Sequence, residues 1–162
     1  MLLPNNFTAN QSAGFTLLEI LIVMALLSLV GALALMMSMD DYRGYAFRNE
    51  RNTLVAALHD ARSQAINTLC FGTLCTNSKP HGVYIQNGEY IIFQGATFAS
   101  RDTSYDVVIP GNTAVQRTGV FEIVFLSDSG QANPNGSVTL SDQGLHESTV
   151  SINPEGQITW AH

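Results

Sequence analysis

Basic residues are confined to the middle of this 162-residue chain: no Lys or Arg precedes Arg43, and none follows Arg117. Glu122, Asp128, Asp142, Glu147 and Glu155 lie beyond that last Arg, and the formal net charge is −6. This is the opposite of the electrostatic footprint that a phosphate backbone selects, and it argues against nucleic acid as a partner. Cysteine is nearly absent as well, with only Cys70 and Cys75, which excludes a disulfide-dense scaffold. No proline occurs between Pro4 and Pro80, so the first half lacks the residue that most reliably breaks a helix. There is no internal repeat. The four histidines, His59, His81, His146 and His162, stand apart from any Ser or Cys motif of nucleophilic type, so neither an enzyme nor a cofactor is expected. Asp128 followed by Gly130 lacks the alternating ligands of a calcium loop. Asp128, Asn133 and Asn135 gathered round a cation are the alternative to a plain turn, but Asp, Asn, Gly and Pro are what turns need anyway, and no metal site is expected.

The most consequential lack is local. Ile20 to Met39 are twenty residues without a charge. At ~1.5 Å per helical residue they match the ~30 Å hydrocarbon core of a bilayer, and a membrane-spanning helix is predicted. Glu19 sits one turn inside this apolar stretch, where a carboxylate costs on the order of 2.5 to 3.5 kcal/mol on insertion scales and so requires a partner. A competing reading takes Ala32-Leu33-Ala34 as the end of a secretory signal cut after Ala34. Against it, the preceding MLLPNNFTANQSAG has no positive charge, and the apolar run continues to Met39. Arg43, Arg48 and Arg51 all lie on the distal flank, so the charges give little support to an N-terminus-in orientation.

Helical spacing continues past the apolar run. Phe47, Leu54, Leu58, Ala61, Ala65 and Leu69 fall on one narrow face, the stripe of a helix packed on a sheet. One long helix from about Phe15 to Thr68 is predicted, with Gly44 as the place for a bend, and Arg48, Arg51 and Arg62 as its solvated margin. Cys70 and Cys75 follow. Outside the cytoplasm they favour a disulfide worth on the order of 2 kcal/mol; a metal site with His59 and His81 is the sharper alternative.

From Gly82 the period becomes two. Val83–Gln86 and Glu89–Phe93 around Asn87-Gly88 read as a hairpin with a type I′ turn. Gly95 to Ser104 reads as a loop. Tyr105–Ile109 and Thr113–Arg117 are predicted strands joined across Pro110-Gly111-Asn112, and Val120–Leu126 is another, with Phe121, Ile123 and Phe125 on one face. Val138–Leu140, Ser148–Ile152 and Gln157–Trp160 complete the set. The fold class is therefore α+β: a long N-terminal helix, membrane-spanning and then amphipathic, on an antiparallel domain, two sheets being the best reading.

Gly14-Phe15-Thr16-Leu17-Leu18-Glu19 followed by a long apolar helix resembles the leader of type IV pilins and type II secretion pseudopilins. The resemblance implies cleavage after Gly14 by a prepilin peptidase, N-methylation of Phe15, and pairing of Glu19 with the amine of a neighbouring subunit. Two charges that are each expensive in an apolar medium offset one another only where they meet. Glu50-Arg51-Asn52 through Ala61-Arg62-Ser63-Gln64-Ala65-Ile66, with the tail Val150 to Ile158, is similar to the GspH/FimT family of minor pseudopilins and minor pilins. That family implies a low-copy filament subunit, with other pilin or pseudopilin subunits, a cytoplasmic-membrane assembly platform and membrane lipid as partners. Its soluble part would lie on the periplasmic side. The division expected is residues 1–14 as leader, 15–39 as membrane helix, 40–69 as its amphipathic continuation and 70–162 as the β domain. A DNA-uptake minor pilin and a secreted domain released after Ala34 are the alternatives.

Overall fold

The computed structural model describes residues 15–72, 75, 77–143 and 146–161, with the backbone alone at 36–40. One helix, α1 (Leu17–Ile66), precedes eight strands: β1 (His81–Gln86), β2 (Glu89–Gln94), β3 (Val107–Pro110), β4 (Gln116–Gly119), β5 (Glu122–Phe125), β6 (Gly136–Asp142), β7 (His146–Ile152) and β8 (Ile158–Ala161). The architecture is α+β with two antiparallel four-stranded sheets, ordered β3-β2-β1-β5 and β4-β6-β7-β8. Contacts divide the chain into two compact units, Met1–Asp41 and Tyr42–His162, so α1 contributes to both.

In the second unit the apolar stripe of α1 is the centre of the core. Phe47, Leu54, Ala57, Leu58, Ala61 and Ala65 are buried against Val83, Ile85, Tyr90, Ile92, Ile123 and Phe125 of one sheet and Val138, Leu140, Val150 and Ile152 of the other. Burying a leucine side chain completely contributes about 1.5–3 kcal/mol, which is how a single helical stripe holds two sheets. The helix stops without proline. Thr68 takes a left-handed φ of 52°, the Leu69 N–H donates to the Gln64 carbonyl and the Thr68 N–H to the Ala65 carbonyl, the Schellman pattern with Thr in the place glycine usually holds. Leu69 consequently lies beyond the helix and is 40% exposed rather than the last residue of the stripe.

Several strand expectations change with tertiary context. The β1–β2 hairpin turns at Asn87-Gly88, but among the described residues only Thr68, Asp128 and Gln143 are non-glycines with positive φ. With Gly88 alone at φ 87° the turn has the sign pattern of type II, not I′. Its geometry presents the Gly88 carbonyl to the Gly111 N–H at 2.8 Å, a contact that local periodicity does not encode. The expected strand at Thr113–Arg117 begins instead at Gln116, and it does not pair with β3. At Pro110-Gly111-Asn112 the chain leaves one sheet for the other, β3 pairing with β2 and β4 with β6. Thr103–Tyr105 forms a 3₁₀ turn, delaying β3 to Val107, and a second such turn, Phe98–Ser100, interrupts the expected loop. Phe121 precedes β5 and is half-exposed, leaving only Ile123 and Phe125 of that trio in the core.

Candidate functional site

Gly14 and the leader 1–14 lie outside the described residues; the description begins at Phe15, one residue past the expected cut. Thr16 caps α1: its Oγ1 accepts the Glu19 N–H at 3.2 Å, satisfying one of the donors that a helix start leaves open. Thr16 and Glu19 thus stand in the Thr-x-x-Glu spacing of a capping box, and an acidic side chain in the first turn is favoured by the helix dipole. Leu17–Leu35 is 19 residues of mean hydropathy 2.6, long and apolar enough to cross a membrane. Every side chain from Phe15 to Leu35 is exposed, Phe15 at 78%. Glu19 borders a shallow, almost wholly apolar groove with Phe15, Ile20, Val23 and Met24, and among the described residues nothing donates to its carboxylate.

Glu50, farther along the same helix, has the opposite setting. It falls on the apolar stripe between Phe47 and Leu54 and is 3% exposed. Its Oε1 accepts the Tyr90 hydroxyl of β2 at 2.5 Å and pairs with Nη2 of Arg117 on β4, and its Oε2 accepts the Asn112 N–H at 2.8 Å. Arg117 also donates from Nε to the Tyr90 oxygen and from Nη1 to the Val115 carbonyl. Burial first, then the Glu50 carboxylate accepting its proton, pushes the Tyr90 phenol far above its ordinary range. For Arg117 burial acts to lower the pKa, but Tyr90 and Glu50 outweigh it and the guanidinium is held more firmly protonated than usual. Gly111 leaves room for this network, since a Cβ there would meet Arg117 Nη2 and Glu50 Oε1 at 2.7 Å each. The network ties α1 to both sheets. Sequence reasoning passed over it, although a carboxylate on a buried stripe was the available signal.

Of the three arginines expected on the solvated margin, Arg48 bonds locally, its Nε donating to the Gly44 carbonyl at 3.2 Å, while the other two reach distant residues. Arg51 is 8% exposed, with its guanidinium carbon 5.6 Å from the Trp160 ring centroid. Arg62 donates to the carbonyls of Gly130 and Glu155, both at 3.4 Å. Gly156 is under the same side chain, with φ 75°, where a Cβ would overlap the Gly130 carbonyl. The helix segment around Arg62 and the tail Asn153–Gly156, distant in sequence, are therefore neighbours in the fold.

Cys70 and Cys75 are joined in a disulfide with Cα atoms 5.7 Å apart, so neither sulfur is available as a metal ligand. His81 is 1% exposed and His59 is on the exposed side of α1. Among the described residues no group of three or more His, Cys, Asp or Glu side chains could hold a metal ion. Asp128 and Gly130 form a turn held to the helix end, the Asp128 N–H donating to the Ala65 carbonyl at 3.2 Å.

The N-terminal geometry coincides with a match to the prokaryotic N-terminal methylation motif over residues 9–35. No curated protein matches the chain. Among solved structures, the fold is similar to the type IV minor pilin FimU of Pseudomonas aeruginosa PAO1, with a TM-score of 0.51 and 17% sequence identity over 74% of this chain and 92% of that one. The profile of the type II transport protein GspH matches residues 50–156, from the buried Glu50 to the glycine beneath Arg62. With more than half of its length matched, the chain belongs to the GspH family.

Proposed function

We propose that this chain is a minor subunit of a type II secretion pseudopilus or a type IV pilus. Prepilin peptidase cuts it after Gly14 and methylates the new amine at Phe15; the apolar helix holds it in the cytoplasmic membrane with the sheet domain on the outer side. It is a substrate of that enzyme rather than an enzyme itself. The observation that carries this reading is Glu19: an exposed carboxylate, four residues from Phe15, at the head of a helix that is otherwise uncharged through Leu35. In lipid that charge is costly alone, and the amine of a neighbouring subunit both neutralises it and sets the stagger between adjacent helices. Membership of the GspH family and the likeness in fold to a type IV minor pilin support the same reading.

Intact-mass analysis of membrane-extracted protein tests processing. The expected product begins at methylated Phe15, and Gly14→Val stays uncut; a terminus at Leu35 would establish the secretory reading instead. Co-purification with the cognate filament subunits tests assembly. Glu19→Val is expected to insert and be cleaved normally but to incorporate poorly, and normal incorporation would remove Glu19 from the assembly contact.

A further inference from the structure

Between the end of α1 and the start of β1, Phe71 is held against the first sheet. Gln94, the last residue of β2 and 2% exposed, turns its side-chain amide onto the backbone of Phe71. Its Oε1 accepts the Phe71 N–H at 2.6 Å and its Nε2 donates to the Phe71 carbonyl at 3.2 Å. One amide therefore satisfies both main-chain groups of Phe71, as an adjacent strand would. The Cys75 sulfur lies 3.2 Å from the same carbonyl, and its bond to Cys70 closes the loop around Phe71. So held, the Phe71 ring is edge-on to His81, centroids 6.0 Å apart, and stacked with Tyr105 at 6.1 Å.

His81 opens β1, paired in register with Gln94 on one side and Phe125 on the other. It is almost fully enclosed, and neither ring nitrogen has a partner in hydrogen-bond geometry among the described residues. Around it are the Asp60 carboxylate on α1, the backbone of Lys79 just before β1 and Tyr105 across the Phe71 ring. Burial outweighs the Lys79 backbone and the Asp60 carboxylate and holds the imidazole below the ordinary histidine range. A cationic ring in this site would be shut off from water, with only the Lys79 backbone and the Asp60 carboxylate to favour it.

We infer that the Cys70–Cys75 disulfide is a latch that keeps Phe71 seated over His81, so that the redox state of the cysteine pair and the protonation of His81 are coupled. Opening the latch admits water to the imidazole and raises its proton affinity. By reciprocity, a protonated His81 makes the disulfide easier to open. The reductant is a dithiol: one thiolate attacks a cystine sulfur, the second closes on the mixed disulfide, and two electrons and two protons pass to the cysteines as the dithiol becomes a cyclic disulfide.

The test is a histidine titration by NMR on the full chain in detergent micelles, with the imidazole signals assigned by single substitutions, with and without dithiothreitol. In the oxidised protein His81 is expected to titrate below the usual ~6.5, and on reduction its midpoint should rise by about one pH unit, a roughly tenfold gain in proton affinity. Gln94→Leu, with the disulfide intact, should shift it in the same direction by unseating Phe71. The amide signals of Val83 and Ile92 report whether the sheet remains folded in each sample. An unchanged midpoint after reduction overturns the latch, as does a shift that appears only together with loss of those amide signals.

Discussion

Leu17–Leu35 and the part of α1 from Phe47 onward share one helical backbone and differ in what surrounds them. In the first stretch every side chain is exposed, although most are apolar. In the second the apolar residues form a single stripe covered on its length by two sheets. Each stretch also contains a carboxylate among apolar neighbours. Glu50 has its donors within the chain, Tyr90, Asn112 and Arg117. Glu19 has none among the described residues, only the groove beside Phe15. The difference teaches that helix formation and helix satisfaction are separate matters. The domain half buries its apolar face within the chain, whereas the apolar side chains of Leu17–Leu35 are exposed.

The sharpest way to break this comparison is to remove the two carboxylates in turn. Glu50→Ala leaves the Arg117 guanidinium buried without its counter-ion, and loss of about 3–5 kcal/mol of domain stability is expected by denaturant melting. Glu19→Val should leave the same melting curve unchanged. If Glu50→Ala melted like the native protein, the buried pair would not be what fastens α1 to both sheets. If Glu19→Val destabilised the domain, the effect of Glu19 would not be confined to the first stretch.

A next-smaller effect distinguishes apolar side chains that are already packed from those that are not. Leu58→Ala, in the core, should cost about 2–5 kcal/mol by the loss of contacts and the cavity left behind. Leu27→Ala, exposed in the first stretch, should shift the domain's melting by less than about 0.5 kcal/mol. Equal costs at the two positions would mean that exposure does not distinguish them.

Among the losses expected within the sheet domain, the smallest is at the cystine. Exported protein should show no free thiol by alkylation until it is reduced, and replacing Cys70 and Cys75 together by Ser should cost on the order of 2 kcal/mol, the chain-entropy value for so short a loop. Quantitative alkylation of both sulfurs without reductant would disprove the crosslink. A cost as large as that of Glu50→Ala would mean that the loop carries part of the core.

What the sequence determined by itself is whatever depends on neighbours a few residues away. The uncharged run after Glu19, the 3.6-residue stripe from Phe47 to Ala65, the break into alternation near Gly82 and the turn at Asn87-Gly88 are all local patterns, and a local period is enough to choose helix or strand and to say which face will be buried. The leader and family motifs were legible for the same reason. Tertiary structure alone decided the partners. Glu50 meets Arg117 across 67 residues and Arg62 meets the Glu155 carbonyl across 93, separations that no periodicity spans. Strand register moved β4 to Gln116–Gly119 and into the other sheet, and it left Phe121 half-exposed where alternation had put it inside. Arg51 was read as a solvated side chain because charge usually is. It is buried because the last strand brings Trp160 over it, and whether a polar group is inside or outside depends on which distant groups arrive to satisfy it.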